Sequence, residues 1–260
     1  ENEIAKGNNQ GIYVRFNVPA DQKPGTYTGS IALTVGKDKT NVPVTLNVVD
    51  ALVSQENHMR SVFLNQWSLY KGELDTTQEM YDKYHEALFE YRMNPDTIML
   101  ETDPSDEGIQ AYTEKAYEFM QNPKCANISM PYVTSYVGGE TNIDAKYFEK
   151  IMRAYAKKSF ETGFNMFSKS VCYFGIIDEP QQNGLFNRVK VVANTYRSTI
   201  NLVAESLEKD SSITSPIKAE VIQGIRDLRN IVTSSYESAI ADSIDTWCPQ
   251  YQHYDSDIER

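Results

Sequence analysis

The chain of 260 residues is long enough for one large domain or two smaller ones, and its 40% hydrophobic content supports a buried core. With 25 Lys and Arg against 36 Asp and Glu, the net charge of −11 would repel phosphate backbones and anionic lipids, which excludes nucleic acid as an expected partner. No apolar run approaches the roughly 20 residues that span a bilayer, so we expect no transmembrane segment. The start ENEIAKGNNQ lacks a basic region and an apolar stretch, so we expect that any export signal has been removed or was never there.

Residues 11–49 alternate polar and apolar side chains with a period of two, which is typical of antiparallel strands. The strand-like segments GIYVRFNVP, TYTGSIALTV and NVPVTLNVV are separated by turn residues at Pro24-Gly25 and Gly36-Lys37. Three or four strands are few for an independent sandwich. We therefore expect residues 1–52 to form a partial β-sandwich domain.

After Asp50 strand-like segments alternate with long amphipathic helices, of which the first could be capped by Thr76 or Asp75. The predicted strands are 59–67, 96–100, 126–133, 170–180, 216–223 and 242–249. The predicted helices are 76–93, 107–121, 144–163 and 187–209. Helical crossovers place the strands parallel, in a doubly wound sheet or a barrel.

Two features favour the barrel over the doubly wound sheet. No GxGxxG or GxxxxGK[ST] motif follows any strand, which weakens the nucleotide-binding version of the open sheet. The unusual polar and aromatic residues also fall where predicted strands end, which is where a (β/α)8 TIM-like barrel carries its chemistry. We expect residues 53–260 to form such a barrel, incomplete after six strands. Either it is truncated at its C-terminus or the architecture is an open variant.

The segment SVCYFGIIDEP, residues 170–180, ends an apolar strand on two adjacent carboxylates and a proline. Neighbouring carboxylates repel each other, so one of them should hold a proton. A protonated Glu179 could donate to a leaving oxygen while an ionised Asp178 stabilises positive charge. Pro180 disfavours the α region at Glu179, which predicts an extended strand exit. The alternative is that Asp178 starts a turn or caps the following helix, with Glu179 solvated beside it.

Four aromatic residues near predicted strand ends are candidates for sugar binding, because aromatic rings stack on the C–H faces of sugars. They are Trp67, Tyr132, Trp247 and Tyr251. Each of them could instead fill the top of the core. As a set around an acidic pair, they predict a carbohydrate cleft.

The chain offers little material for metal or cofactor chemistry. Its three cysteines form no CxxC pair and are interpreted as core residues, and its three histidines show no HExxH or HxH spacing. We expect no cofactor and no metal. A metal-dependent hydrolase using Glu101, Asp103 and Asp178 is a weaker alternative, since these carboxylates lack histidine partners.

Three segments together resemble the family 123 glycoside hydrolases and a related group that shares their catalytic domain. KPGTYTGSIALT with VPVTLNVVD is similar to the β-sandwich that precedes the barrel in that family, YFGIIDEP resembles the catalytic strand, and IDTWCPQY resembles a later strand lining the same pocket. The likeness covers most of the chain in the expected order, and DEP followed by DTWCP is its most specific part.

This resemblance implies an exo-acting β-N-acetylhexosaminidase, typically for N-acetylgalactosamine, in which the substrate's 2-acetamido oxygen attacks the anomeric carbon. It would make Glu179 the general acid/base and Asp178 the residue that orients the acetamido group. Trp247 would wall the pocket, with Tyr251 and Tyr132 or Trp67 contributing. The partner would be a glycan or glycolipid, and the protein would be bacterial and secreted, periplasmic or on the cell surface. The rival interpretation is a non-catalytic carbohydrate-binding or cell-surface protein on the same scaffold.

Overall fold

The computed structural model describes residues 5–63, 77–96, 98, 103–131, 134–137, 140–173, 177–181 and 184–251. The chain divides into two compact units, Glu1–Ser54 and Gln55–Arg260. The predicted strand 96–100 and the end of the predicted strand 59–67 lie largely outside the described residues. Within the described part of the chain, no helix is long and apolar enough to cross a membrane.

The first unit contains one antiparallel hairpin, formed by β1 (Gly25–Val35) and β2 (Asp38–Val48). A two-residue loop joins the strands, and its Gly36 has a φ of +60°, which suits a tight hairpin turn. Residues 11–19 are not a strand, although their alternation predicted one. The predicted β-sandwich is therefore wrong, because one hairpin supplies a single two-stranded layer and a sandwich needs two packed sheets.

The second unit is an α/β structure, and its described residues form five α-helices. Four of them begin and end close to the positions that the sequence predicts: α1 (Gln78–Glu90), α2 (Asp106–Met120), α3 (Ala145–Thr162) and α4 (Phe186–Lys209). The fifth is α5 (Lys218–Arg226), and short 3₁₀ helices lie at Met166–Lys169 and Ser238–Ser243. Side chains of Thr77, Ser105 and Asp144 cap the first three α-helices, so Thr77 takes the place predicted for Thr76 or Asp75.

The strands of the second unit form a four-stranded parallel sheet and a separate hairpin. The sheet contains β3 (Ile128–Ser129), β6 (Ser170–Tyr173), β7 (Asn230–Val232) and β8 (Thr246–Trp247) in that order, and the hairpin pairs β4 (Thr134–Val137) with β5 (Glu140–Ile143). The (β/α)8 barrel is also a wrong prediction. Within the described residues the sheet has four short strands and stays open, whereas a barrel needs eight that close on themselves.

Two local assignments explain much of this difference. Residues 216–223, predicted as a strand, belong mostly to α5, where Val221, Ile222 and Ile225 are buried at helical spacing. The adjacent strand β7 was not predicted. A further parallel bridge joins Phe63 to Pro95, where the first two strands were expected.

The apolar core lies between the sheet and the helices. On α3 the buried residues follow a helical stripe: Tyr147, Phe148, Ile151, Met152, Tyr155, Ala156 and Ser159. Ile128, Cys172 and Val232 contribute to the same core from three strands of the sheet. Three adjacent strands, β6, β7 and β8, are thus fixed side by side and in parallel, so their carboxyl ends lie at one edge.

Candidate functional site

A cavity of about 280 Å³ lies at the carboxyl edge of β6, β7 and β8. It is lined by residues that follow each of these strands: Asp178, Glu179 and Gln181 after β6, Thr233, Ser234 and Ser235 after β7, and Cys248, Pro249 and Gln250 after β8. In open α/β sheets, ligands bind outside the carboxyl ends of the strands. The cavity therefore occupies the position in the fold where chemistry is expected.

The two predicted catalytic residues sit on a short segment that we call the carboxylate loop, residues 177–181. Ile177 is fully buried in the core and Pro180 is also buried, whereas Asp178 between them is exposed and Glu179 is half-buried. The carbonyl of Pro180 accepts a hydrogen bond of 2.8 Å from the backbone N–H of Leu185. The loop is thus held at two points while its carboxylates face the cavity.

Glu179 has a left-handed backbone with a φ of +42°, which is uncommon for a residue other than glycine. The prediction of an extended strand exit at this position is wrong. In an extended strand, neighbouring side chains point to opposite faces, so a departure from extended geometry is needed for Asp178 and Glu179 to share one cavity. Strained backbone of this kind occurs preferentially at functional sites.

Each carboxylate accepts a hydrogen bond from a different neighbouring strand end. The Thr233 hydroxyl, directly after β7, donates to Oδ1 of Asp178. The Gln250 side-chain amide, after β8, donates to Oε1 of Glu179 at 2.5 Å. Since α4 begins at Phe186 with Leu185 as its N-cap residue, Asp178 does not cap that helix, and that part of the alternative is wrong. The other part, a turn that starts at Asp178, agrees with the bend and turn at residues 179–181.

A third contact ties the carboxylate loop to β7. The hydroxyl of Ser234 donates to Oε1 of Gln181 at 2.9 Å. Thr233 and Ser234 were not predicted as site residues because β7 was not recognised. Gln181 and Gln250 were also missed, although both directly follow segments that the prediction placed at the site. For β7 the available signal was the apolar pair Ile231 and Val232, which is followed directly by the polar cluster TSS at residues 233–235.

Two of the four aromatic candidates, Trp247 and Tyr251, belong to the described residues. Trp247 is half-buried against the core, and the centroid of its ring lies 5.3 Å from the centroid of the Tyr236 ring. Tyr251 is 93% exposed. The described lining of the cavity contains neither of them, and Trp67 and Tyr132 lie outside the described residues.

The cavity also brings a cysteine to the surface. Cys248 is exposed and lines the cavity, so its interpretation as a core residue is wrong. Cys125 and Cys172 are buried as expected, and burial raises the pKa of each thiol to about 12. At neutral pH these two side chains remain protonated and unreactive.

Among the described residues, which include Asp103 and Asp178, no group of three or more His, Cys, Asp or Glu side chains could hold a metal ion. Asp103 instead accepts a hydrogen bond of 2.9 Å from the backbone N–H of Ser105, which holds the pKa of its carboxyl below the usual value. Glu101 lies outside the described residues.

Compared with models of known protein families and with the curated proteins, the chain matches none. The function therefore has to be inferred from the residues at the cavity and from the motifs around them.

Proposed function

We propose that this chain is a glycoside hydrolase related to family 123, acting as an exo β-N-acetylhexosaminidase on N-acetylgalactosaminides. One observation carries the proposal: Asp178 and Glu179 line the same cavity, and each accepts a hydrogen bond from a neutral donor on a different strand end. The proposal includes export from a bacterial cell to the periplasm, the cell surface or the medium, where glycans occur.

In the proposed reaction Glu179 donates a proton to the glycosidic oxygen as its bond to the anomeric carbon breaks. The carbonyl oxygen of the substrate's 2-acetamido group attacks the same carbon from the opposite face and forms a cyclic oxazolinium ion. Asp178 orients the acetamido N–H and stabilises the positive charge. Water then attacks the anomeric carbon, gives its proton to Glu179 and restores the acetamido group with retention of configuration.

The size and polarity of the cavity support this substrate class. At about 280 Å³ it is near the lower limit of small-molecule sites, roughly 300–1,000 Å³, which suits a single terminal sugar and exo action. Its described lining supplies hydroxyl, amide and carboxylate groups and contains no Lys or Arg. These groups can hydrogen-bond a neutral sugar, whereas two carboxylates without a cation disfavour a sulfated or phosphorylated one.

The test is a pH–rate profile on 4-nitrophenyl N-acetyl-β-galactosaminide for the wild type and the variants Glu179→Gln and Asp178→Asn. We expect each substitution to lower kcat/KM by about 100-fold or more, because a general acid and an electrostatic stabiliser each contribute on that scale. Asp227→Asn is the matched control, since Asp227 also accepts a side-chain hydrogen bond, from Gln223, but lies outside the cavity. Wild-type rates in both site variants would overturn the proposal.

Exposure of the site favours one second candidate, a non-catalytic carbohydrate-binding protein. Asp178 is exposed, and Tyr251, next in the chain to Gln250, is 93% exposed and available for stacking. This candidate predicts that the wild type binds N-acetylgalactosamine without hydrolysing the aryl glycoside. It also predicts that Tyr251→Ala weakens binding more than Glu179→Gln does, which calorimetry can measure.

A further inference from the structure

The side chain of Gln250 makes a specific contact with the proposed acid. Its Nε2 donates to Oε1 of Glu179 from the segment after β8, which reaches the cavity independently of the carboxylate loop. Gln250 and Glu179 are separated by 71 residues in the chain. The contact therefore depends on the sheet that sets the strand ends side by side.

An amide N–H can only donate, so it selects the oxygen of the carboxyl group that accepts. With Oε1 accepting from Gln250, the proton of a neutral Glu179 belongs on Oε2. A carboxylic acid transfers its proton productively only when that oxygen is directed at the leaving group. The left-handed backbone of Glu179 sets the direction of the side chain, and Gln250 sets the rotation of the carboxyl group.

We propose that Gln250 is a positioning residue, which orients the Glu179 carboxyl group so that Oε2 carries the transferred proton. This inference rests on the proposed function. Thr233 has the corresponding place beside Asp178, but its hydroxyl can both donate and accept, so it does not discriminate between the oxygens in the same way.

Two substitutions separate positioning from simple structural support. Gln250→Ala removes the donor, and we expect kcat to fall about tenfold with KM changed less than twofold, the loss expected for one hydrogen bond to an ionisable group. Gln250→Glu keeps the shape and adds a second carboxyl group beside Glu179. Because a neighbouring carboxylate disfavours the loss of a proton from the acid, we expect the basic limb of the pH–rate profile to move to higher pH.

The matched control is Gln223→Ala. Gln223 makes the same kind of contact, from its Nε2 to Oδ1 of Asp227 at 3.0 Å, on the exposed surface of α5. We expect this variant to keep the wild-type kcat and pH profile. An unchanged kcat and profile in both Gln250 variants would overturn the positioning role and leave the glycosidase proposal intact.

An NMR titration tests the contact without requiring activity. We expect the side-chain amide nitrogen of Gln250 to shift with pH in step with the carboxyl carbon of Glu179, and to lose that dependence in Glu179→Gln. If the shifts are coupled but no aryl glycoside is hydrolysed, the glycosidase proposal fails and the positioning of Glu179 by Gln250 stands only as a feature of a binding site. An amide that ignores the titration of Glu179 contradicts the inference, whatever the activity.

Discussion

The left-handed backbone of Glu179 predicts that glycine is a better residue than alanine at this position, the reverse of the usual order. A left-handed conformation costs an L-residue about 1–2 kcal/mol, and glycine avoids this cost. Glycine is otherwise less favourable than alanine by about 0.5–1 kcal/mol, because it loses more backbone freedom on folding. When the cost of glycine is subtracted from the cost of the left-handed backbone, Glu179→Gly should be more stable than Glu179→Ala by about 0.5–1 kcal/mol. Loss of the contact with Gln250 cancels in this comparison, because both variants lack it.

Thermal unfolding measures this difference. For a unit of this size, 1 kcal/mol corresponds to about 2–4 °C, so we expect Glu179→Gly to melt about 1–4 °C above Glu179→Ala. The exposed residue Lys190, inside α4, is the control, where glycine should melt about 2–4 °C below alanine. If glycine is also the less stable residue at position 179, by the same margin as at 190, then Glu179 does not have a left-handed backbone.

Three other predictions concern stability and accessibility. In the native protein only Cys248 should react with a thiol reagent at pH 8, because burial raises the pKa of Cys125 and Cys172 to about 12. After unfolding, all three cysteines should react. Rapid labelling of two or three thiols in the native protein would refute this prediction. The buried hydroxyl of Tyr155 has no hydrogen-bond partner among the described residues. Tyr155→Phe should therefore leave the free energy of unfolding unchanged or raise it by up to about 1 kcal/mol, as measured by urea titration. A lower free energy of unfolding in this variant would reveal a partner for the hydroxyl. Asp245 accepts hydrogen bonds from the Arg197 guanidinium at 3.0 and 3.1 Å and from the backbone N–H of Asn230 at 2.9 Å. Asp245→Asn should therefore lower the free energy of unfolding by about 1–3 kcal/mol. An unchanged midpoint in urea titrations would show that these hydrogen bonds do not stabilise the fold.

Four of the five described α-helices could be predicted from sequence because each presents a long apolar stripe, and the first three also begin at a capping side chain. The predicted helix 144–163 corresponds to α3, which begins after the cap Asp144 and ends at Gly163 with a φ of +73°. Such signals extend over many turns, so errors at single positions do not change the assignment.

The strands of the sheet are too short for the same approach. β7 and β8 contain three and two residues, which is less than the length over which alternation can be recognised. The segment 216–223 carries apolar residues compatible with either period, and tertiary packing of Ile222 and Ile225 selects the helix. The barrel was predicted from the polar and aromatic residues at predicted strand ends, and counting 216–223 as a strand added one unit to it that the structure does not contain.

The position of the candidate site followed from the sequence, but its contacts did not. Asp178 and Glu179 stand out because carboxylates end an apolar run. Thr233 and Gln250 approach them only through the parallel pairing of β6, β7 and β8, which brings together segments 55 and 71 residues apart. Single-sequence patterns contain no information about such distant pairs.

The central claim is that Glu179 acts as a general acid, and its most direct test is the dependence of the Glu179→Gln defect on the leaving group. Methyl N-acetyl-β-galactosaminide needs protonation of its leaving oxygen, whereas the 2,4-dinitrophenyl glycoside does not. We predict that the substitution lowers kcat/KM by about 100-fold to 10,000-fold for the methyl glycoside and by at least tenfold less for the dinitrophenyl glycoside. An equal loss for both substrates, or no loss for either, would contradict the account.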